Sequence, residues 1–357
     1  MNETLKRRVL KSMEELRGVL PKRGRVLLIP HDHPDPDALA SAAGLHLLLQ
    51  KRFGLQGIIL FTGTTDRAEN QEMMRHFRYR WVSPAAMKTP RRPIPAIFID
   101  TAPWSANVTI PTFAKPVAVV DHHPTRGQRR KDGLFTDIRK GAGATATMVY
   151  QYLTVAEISP PPWLATIFTY AILTETLDLS RECTDEDLRA YTDLLGRANL
   201  RTLGRIRHAP LSRDYFAHLK EATREARVFG RVAFTHLTEV SQSAIVAELA
   251  DLLLRLERIT WSFCTAWSQD RLLVSMRSAA SGADCGRLLR KAIGTQGSGG
   301  GHRQMAAGFL AATGLDTEQR ETMQRDFVAR LLKAVERRSR RKRGAEEKPM
   351  GTQPLVN

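Results

Sequence analysis

The sequence predicts an α/β protein, with a parallel sheet in the N-terminal domain and a smaller mixed-sheet α/β domain after it. Short apolar runs without helical periodicity, Val26-Leu27-Leu28-Ile29, Ala96-Ile97-Phe98-Ile99 and residues 116–120, read as buried strands and alternate with helix-like segments. Each run passes at once into acidic or acidic–histidine residues, which would line these groups along the usual ligand edge of an open α/β sheet. Near residue 220 the alternation changes to strand-like runs, the first over 228–237, which marks a second domain. At 357 residues the chain is long enough for two cores.

An apolar series at Leu5, Val9, Leu10, Met13 and Leu16 predicts an amphipathic helix over 1–20. The strand 26–29 follows, and the Ala- and Leu-rich segment 38–49 reads as a helix. Between them, His31-Asp32-His33-Pro34-Asp35-Pro36-Asp37 packs two imidazoles and three carboxylates into seven residues. Pro34 and Pro36 stiffen this loop, and in an extended loop Asp35 and Asp37 point the same way. Converging carboxylates repel one another unless a cation lies between them. Asp37 is also a candidate cap for Ala38, but a cap needs one carboxylate, and the stretch predicts a metal site. Further strands are expected at 56–61, 96–99 and 116–120, the last two ending in Asp100-Thr101 and Asp121-His122-His123. A helix around 70–76 and a Pro-rich loop at 90–95 separate them. The segment 141–153 reads as a helix opened by Gly143, Ala144 and Thr145, small enough to bring its N-terminus to phosphate oxygens or to pack it closely on the sheet. Helices at 163–173 and 185–195 complete the first domain, and the amphipathic 211–224 connects it to the second.

In the second domain 244–256 has helical spacing, and 259–267 and 271–277 read as paired strands about the turn Ser268-Gln269-Asp270. Arg277, at a strand end, offers a fork suited to bidentate phosphate contact. After a helix at 282–293, residues 294–301 read as a loop with five glycines. With His302 behind it, this loop makes an anion cradle, because glycine lets backbone N–H groups approach phosphate closely. Six of the seven residues 337–343 are basic, and the tail is expected to be disordered, adding weak, salt-dependent attraction to nucleic acid. Lys and Arg number 54 against 37 Asp and Glu, a formal charge of +17 that favours a polyanionic partner or substrate. The three cysteines (Cys183, Cys264, Cys285) show neither zinc spacing nor a disulfide framework, which suits a reducing compartment. Residues 1–25 lack an apolar signal core, and no run approaches the ~20 apolar residues of a membrane span. A soluble, cytoplasmic protein is expected.

Three strand ends bearing four His and five Asp are not independent accidents, although each alone could be a cap or turn residue. Mixed imidazole and carboxylate donors suit Mn²⁺, Mg²⁺ or Fe²⁺. Two such ions ~3.5–4 Å apart, bridged by a carboxylate, would activate a water for in-line attack on phosphorus.

These residues carry a resemblance. His31-x3-Asp35-x-Asp37-Ala38, then Asp100-Thr101, then Asp121-His122-His123 resemble the first three motifs of the DHH phosphoesterase family. Its fourth motif, a strand-end Thr-Asp-Thr, is approximated by Ile172-Leu173-Thr174-Glu175-Thr176, with Glu in place of Asp. Gly299-Gly300-Gly301-His302 with Ala306-Ala307-Gly308-Phe309, and Val274-Ser275-Met276-Arg277-Ser278, resemble the signatures of the DHH-associated C-terminal domain. The resemblance implies a catalytic domain over 1–205, a helical connector over 206–224, a substrate-binding domain over 225–335 and a basic tail over 336–357, with the active site in the cleft between the domains. It implies two divalent ions, Mn²⁺ or in its place Mg²⁺: His31 and Asp35 would bind one, Asp37 and His122 the other, with Asp100 bridging both and Glu175 adding a ligand to the second. His123 would lie close to the scissile phosphate as an acid or charge stabiliser, whereas His33 has no matching role. Asp178, three residues beyond Glu175, competes for the fourth-motif position if the segment is helical. Arg277, Ser278, Gly299, Gly300, Gly301 and His302 would hold substrate phosphates.

The branch implied is that of nano-RNases and phosphoadenosine-phosphate phosphatases. Such enzymes take mononucleotides from short oligoribonucleotides or the 3′-phosphate from 3′-phosphoadenosine 5′-phosphate. The Gly-Gly-Gly-His sequence speaks against the pyrophosphatase branch. The alternatives are a linear or cyclic dinucleotide phosphodiesterase and, from another class, a non-catalytic nucleotide- or RNA-binding module. The partner implied is short RNA or a nucleotide, with no membrane and no obligate protein partner; a homodimer stays open.

Overall fold

The structure, a computed structural model, describes residues 1–123, 133–301, 303–343 and 353–354. The chain divides into two compact units, Met1–Ala209 and Pro210–Asn357. Among the described residues no helix is long and apolar enough to cross a membrane.

The first unit runs α1 (Glu3–Val19), β1 (Arg25–Pro30), α2 (Pro36–Leu48) with a π-helical turn at Leu49–Phe53, β2 (Gln56–Leu60), α3 (Ala68–Arg75), β3 (Trp81–Val82), β4 (Ile94–Ile99), β5 (Ala114–Asp121), β6 (Phe135–Ile138), α4 (Thr145–Val155), α5 (Pro162–Glu175), α6 (Asp185–Leu195) and α7 (Leu200–Arg207). Its six strands form one parallel sheet in the order β3-β2-β1-β4-β5-β6. Both faces are covered, as an all-parallel sheet requires: Val26 and Leu28 of β1 enter the core with α2, α4 and α5, while Leu27 and Ile29 enter a second core on the opposite face. The order of strands reverses between β1 and β4, the topological switch point at which open α/β sheets bind ligands. Pro30 is in register with Ile99, and Ile99 with Val120, so the residues that follow β1, β4 and β5 emerge at one level.

Helix α2 is buried almost throughout because it lies between the sheet and α4 and α5. Gly44 permits that crossing: a Cβ there would sit 2.5 Å from Phe168 Cζ and 2.7 Å from Val149 Cγ1. The helix expected over 163–173 is α5, apolar on all sides as a fully buried helix is; it runs through Glu175 itself, so the fourth motif stands at a helix end and not at the strand end that the resemblance implies. Strand β6 gave no apolar signal, because its Asp137 is buried against the Arg139 guanidinium at 2.6 Å and the Tyr152 hydroxyl at 2.5 Å.

The second unit runs α8 (Arg213–Glu225), β7 (Arg227–Phe229), β8 (Val232–Leu237), α9 (Ala244–Leu254), β9 (Trp261–Ser268), β10 (Arg271–Ser278), α10 (Cys285–Ile293), β11 (Gly297–Gly301), β12 (Met305–Ala311), α11 (Thr317–Arg343) and β13 (Gln353–Pro354). They form a mixed sheet in the order β11-β12-β10-β9-β8-β7-β13, in which only β8–β9 is parallel. The amphipathic segment expected as a connector is α8, which packs Ala222 beside Leu237 and Val246 within this unit. The glycine-rich segment expected as a loop is instead edge strand β11. Its glycines admit a close partner: a Cβ on Gly297 would meet the Phe309 carbonyl at 1.9 Å, and one on Gly308 the Ser298 carbonyl at 2.6 Å. Of the tail expected to be disordered from 336, residues 336–343 continue α11, and 344–352 and 355–357 lie outside the described residues.

Because α2 has no space on its α4 and α5 side, Gly44→Leu should destabilise the chain by about 1–3 kcal/mol, the scale of overpacking. Urea denaturation measures this; an unchanged midpoint would show that the helices can separate freely.

Candidate metal centre

The centre is built at the switch point. His31 leaves β1 with its Nδ1 2.9 Å from the Asp32 carbonyl; since a carbonyl only accepts, Nδ1 carries a proton there and Nε2 is the atom turned to the cluster carboxylates. That Nε2 lies 3.7 Å from Asp35 Oδ2 and 3.7 Å from Asp100 Oδ2. Asp35 caps α2, its Oδ1 accepting from Ala38 N–H at 2.9 Å, so the cap expected of Asp37 belongs to Asp35. Asp37 stands in the first helical turn and not in an extended loop, fully buried. Its two oxygens accept from the amides of Thr145 (2.8 Å) and Ala146 (2.7 Å), which open α4. The N-terminus of α4, for which the sequence leaves phosphate contact and close packing both open, therefore serves a carboxylate.

Asp100 follows β4 with φ +55, a left-handed conformation that Asp tolerates better than most residues. Its carboxylate is buried and faces two ways: Oδ2 toward His31, and Oδ1 toward His122 Nε2 (3.5 Å), His123 Nδ1 (3.4 Å) and the donating Thr145 hydroxyl (2.8 Å). His122 donates Nδ1–H to the Ala142 carbonyl at 3.2 Å. Its Nε2 is buried without a hydrogen-bond partner, 3.9 Å from both Asp37 Oδ2 and Glu175 Oε1. Asp121 Oδ1 holds His123 twice, accepting from its backbone N–H at 2.9 Å and lying 2.9 Å from its Nδ1.

Seven residues singled out from the sequence thus converge: His31, Asp35, Asp37, Asp100, His122, His123 and Glu175. Others do not join them. Helix α5 ends at Glu175, and Leu177, Asp178 and Leu179 turn through φ of +48, +52 and +63. Asp178 thereby faces away and pairs with Arg207 at 3.1 Å. His33 lies beside Thr64, and the Asp32 carboxylate accepts from Thr109. Thr145 and Ala146 bind the cluster carboxylates, a role that no local signal distinguishes from an ordinary helix start.

In the second unit the Arg277 guanidinium is buried and engaged, Nε donating to Asp251 at 2.5 Å and Nη1 to Ser275 Oγ at 2.8 Å. The Ser278 hydroxyl donates to the Thr260 carbonyl and accepts from Ala280 N–H. Gly299, Gly300 and Gly301 lie in β11, and His302 is outside the described residues.

Crowding shows in the proton affinities. Burial pushes the Glu175 carboxyl up to about 7, with the Asp35 charge acting in the same direction. Burial likewise holds Asp37 well above the carboxylate range, with Asp100 and Glu175 adding to it. Burial would lower His31, but the hydrogen bond and charge of Asp35, and the Asp100 charge, carry it to about 9. Burial is outweighed at His123 as well, where Asp100 and Asp121 raise it to about 12. Asp100 alone falls below its ordinary value; burial opposes this, and the facing imidazoles win. Its neighbours thus hold protons where cations would otherwise balance the charge.

These donors fit divalent metal ions. His31, Asp35 and Asp100 form one group and Asp100, His122 and His123 another, each with ligand atoms within 4.8 Å of one another. A hard cation ~2.1 Å from each of its ligands would set neighbouring ligand atoms ~3 Å apart, so the His–carboxylate pairs now 3.4 to 3.9 Å apart would close by a few tenths of an ångström to about 1 Å. The buried, partnerless Nε2 of His122 is the atom that such an ion would satisfy.

Residues 25–173 match the model of the DHH family, N-terminal domain. An uncharacterised protein of Methanocaldococcus jannaschii is 27% identical over 320 residues, covering 88% of this chain and 65% of its own length. A probable manganese-dependent inorganic pyrophosphatase of Enterococcus faecalis is 27% identical over 184 residues, 50% of this chain and 58% of that protein. The chain thus spans less than two thirds of the length of these relatives. Among solved structures, an exopolyphosphatase-related protein from Bacteroides fragilis shares the fold, with a TM-score of 0.65 at 14% identity over 92% of this chain and 98% of that one. The first unit contains a DHH family domain.

Two outcomes follow from the geometry. Because Glu175, Asp37 and His31 hold protons near neutrality, and a metal takes only their deprotonated forms, Mn²⁺ uptake should release protons and tighten as pH rises from 6 to 8.5. Calorimetric titration in buffers of different ionisation enthalpy counts those protons; a flat affinity with no release would contradict this ordering. Glu175→Ala should weaken Mn²⁺ binding, Glu175→Asp less so, and Asp178→Ala hardly at all, as read by equilibrium dialysis; the reverse ranking would move the ligand to Asp178.

Proposed function

We propose that the chain carrying this DHH family domain is a hydrolase that uses two divalent metal ions to cleave phosphoester bonds. Its substrates would be short oligoribonucleotides, cut to mononucleotides, or 3′-phosphoadenosine 5′-phosphate. The observation that carries the reading is the Asp100 carboxylate, one oxygen turned to His31 and the other to the partnerless Nε2 of His122. His31 and Asp35 would hold one ion, Asp37, His122 and Glu175 the other, and Asp100 both. Bound there, the ions would supply Lewis acidity and lower the pKa of water. Mn²⁺ is favoured by the name of the Enterococcus relative, with Mg²⁺ able to replace it.

The chain's own groups divide the remaining work. His123 keeps its proton at neutral pH and is pinned by Asp121, so it presents a fixed positive donor toward charge that develops on a phosphate. The amides of Thr145 and Ala146 and the Thr145 hydroxyl hold Asp37 and Asp100 in place. The excess of 17 positive charges favours a polyanion, and edge strand β11 offers glycine backbone that a phosphate or nucleotide can approach. Arg277 would join that grip only by sharing its guanidinium between a phosphate and Asp251. The name of the Enterococcus relative makes inorganic pyrophosphate the competing substrate.

The test gives the purified full chain, with Mn²⁺ or Mg²⁺, labelled RNAs from dinucleotides upward, 3′-phosphoadenosine 5′-phosphate and pyrophosphate. Mononucleotides should appear fastest from the shortest RNAs. Asp100→Ala should remain folded and lose more than the ~100-fold that follows loss of a group merely supporting a ligand. Near wild-type turnover by that variant would refute the two-ion reading, and hydrolysis of pyrophosphate alone would refute the substrate.

A further inference from the structure

Resting on the reading of the cluster as a metal centre, we propose that Asp187 is a positioning residue for that centre, although it touches none of the ligands. Asp187 lies in the first turn of α6 and is completely buried. Its Oδ2 accepts from Thr184 N–H (2.8 Å), Thr184 Oγ1 (2.6 Å) and Gly143 N–H (2.9 Å), and its Oδ1 accepts from Thr147 Oγ1 (2.6 Å). Oδ2 thus takes three donors and Oδ1 one, so both oxygens of the carboxylate are engaged. The capping box of α6 accounts only for the Thr184 contacts. The other two donors come from residues 44 and 40 positions earlier in the chain, and a helix cap has no need of them.

Those two donors bracket the segment that serves the metal centre. Thr145 and Ala146, between Gly143 and Thr147, give their amides to Asp37, and Thr145 gives its hydroxyl to Asp100. One residue before Gly143, the Ala142 carbonyl takes the Nδ1–H of His122 and so directs its Nε2 inward. Helix α4 has no side-chain cap of its own: its N-cap is Ala144. A single carboxylate outside the cluster therefore grips a six-residue strap at two points, and the strap sets the orientation of three cluster residues. Glycine is required at 143, since a Cβ there would fall 2.5 Å from Asp187 Oδ2.

Asp187→Asn keeps the volume but turns one acceptor oxygen into an NH₂ group that must face donors, either the Thr147 hydroxyl or the Gly143 and Thr184 groups. The strap should loosen and the ligands lose alignment. Mn²⁺ binding to the full chain, followed by the electron paramagnetic resonance signal of free Mn²⁺, should weaken by about 10–100-fold, the scale for groups that orient metal ligands. Circular dichroism and the melting temperature of the metal-free protein are measured beside it. A merely structural role would lower the melting temperature and leave the affinity of the folded variant at the wild-type value, and that result overturns the proposal. Thr147→Val, which removes one grip and retains the carboxylate, decides the matter if Asp187→Asn does not fold: about 10-fold weaker binding supports the proposal and wild-type affinity overturns it. Wild-type protein that takes up no Mn²⁺ would overturn the metal-centre reading together with this one, whereas wild-type binding with unaffected variants removes Asp187 alone.

Discussion

Negative charge gathered at the carboxyl end of a parallel sheet is the constraint on which the first unit depends. Asp35, Asp37, Asp100 and Glu175 meet around three imidazoles, with Asp37 and Asp100 buried. Unit charges ~4 Å apart interact by about 4 kcal/mol at an effective dielectric constant of about 20, too much to leave unbalanced several times over in one site. Without cations the balance comes from protons, on Glu175, Asp37 and the raised histidines. Divalent ions would supply the same compensation in a form that can also act on a phosphate.

The fold meets that constraint with fixed dipoles in addition to counter-charges. Each imidazole that faces Asp100 through Nε2 is held by a carbonyl at Nδ1, Asp32 for His31 and Ala142 for His122. Asp37 rests on the first amides of α4, where the partial positive charge of the helix end is greatest. Parallel register brings three strand ends to one level, so a reversal of strand order becomes a site with ligands on both sides.

The second unit does not present the open glycine loop and unpaired arginine that the sequence suggests. Its glycines form an edge strand where two backbones approach too closely for side chains, and its buried arginine is already neutralised by Asp251. A buried guanidinium without a carboxylate would be costly, and Asp251 supplies that carboxylate.

The positions of β1, β2, β4 and β5, the α/β class and the residues that end β1, β4 and β5 are legible in the sequence, because a buried parallel strand announces itself by an uninterrupted apolar run and its polarity fixes which end bears the ligands. His31, Asp100 and His122 could be named for that reason. The helix over 163–173 is legible as well, but local pattern did not carry it through Glu175, where the resemblance implies a strand end. Neither could it tell that Asp35 and not Asp37 caps α2, because both stand beside the first turn. The partners of Asp37 lie 108 and 109 positions away, and those of Asp187 40 and 44. Only packing decides such pairings: propensity and periodicity reach a few residues along the chain, whereas a buried carboxylate takes whichever donors the folded layers bring within hydrogen-bond distance.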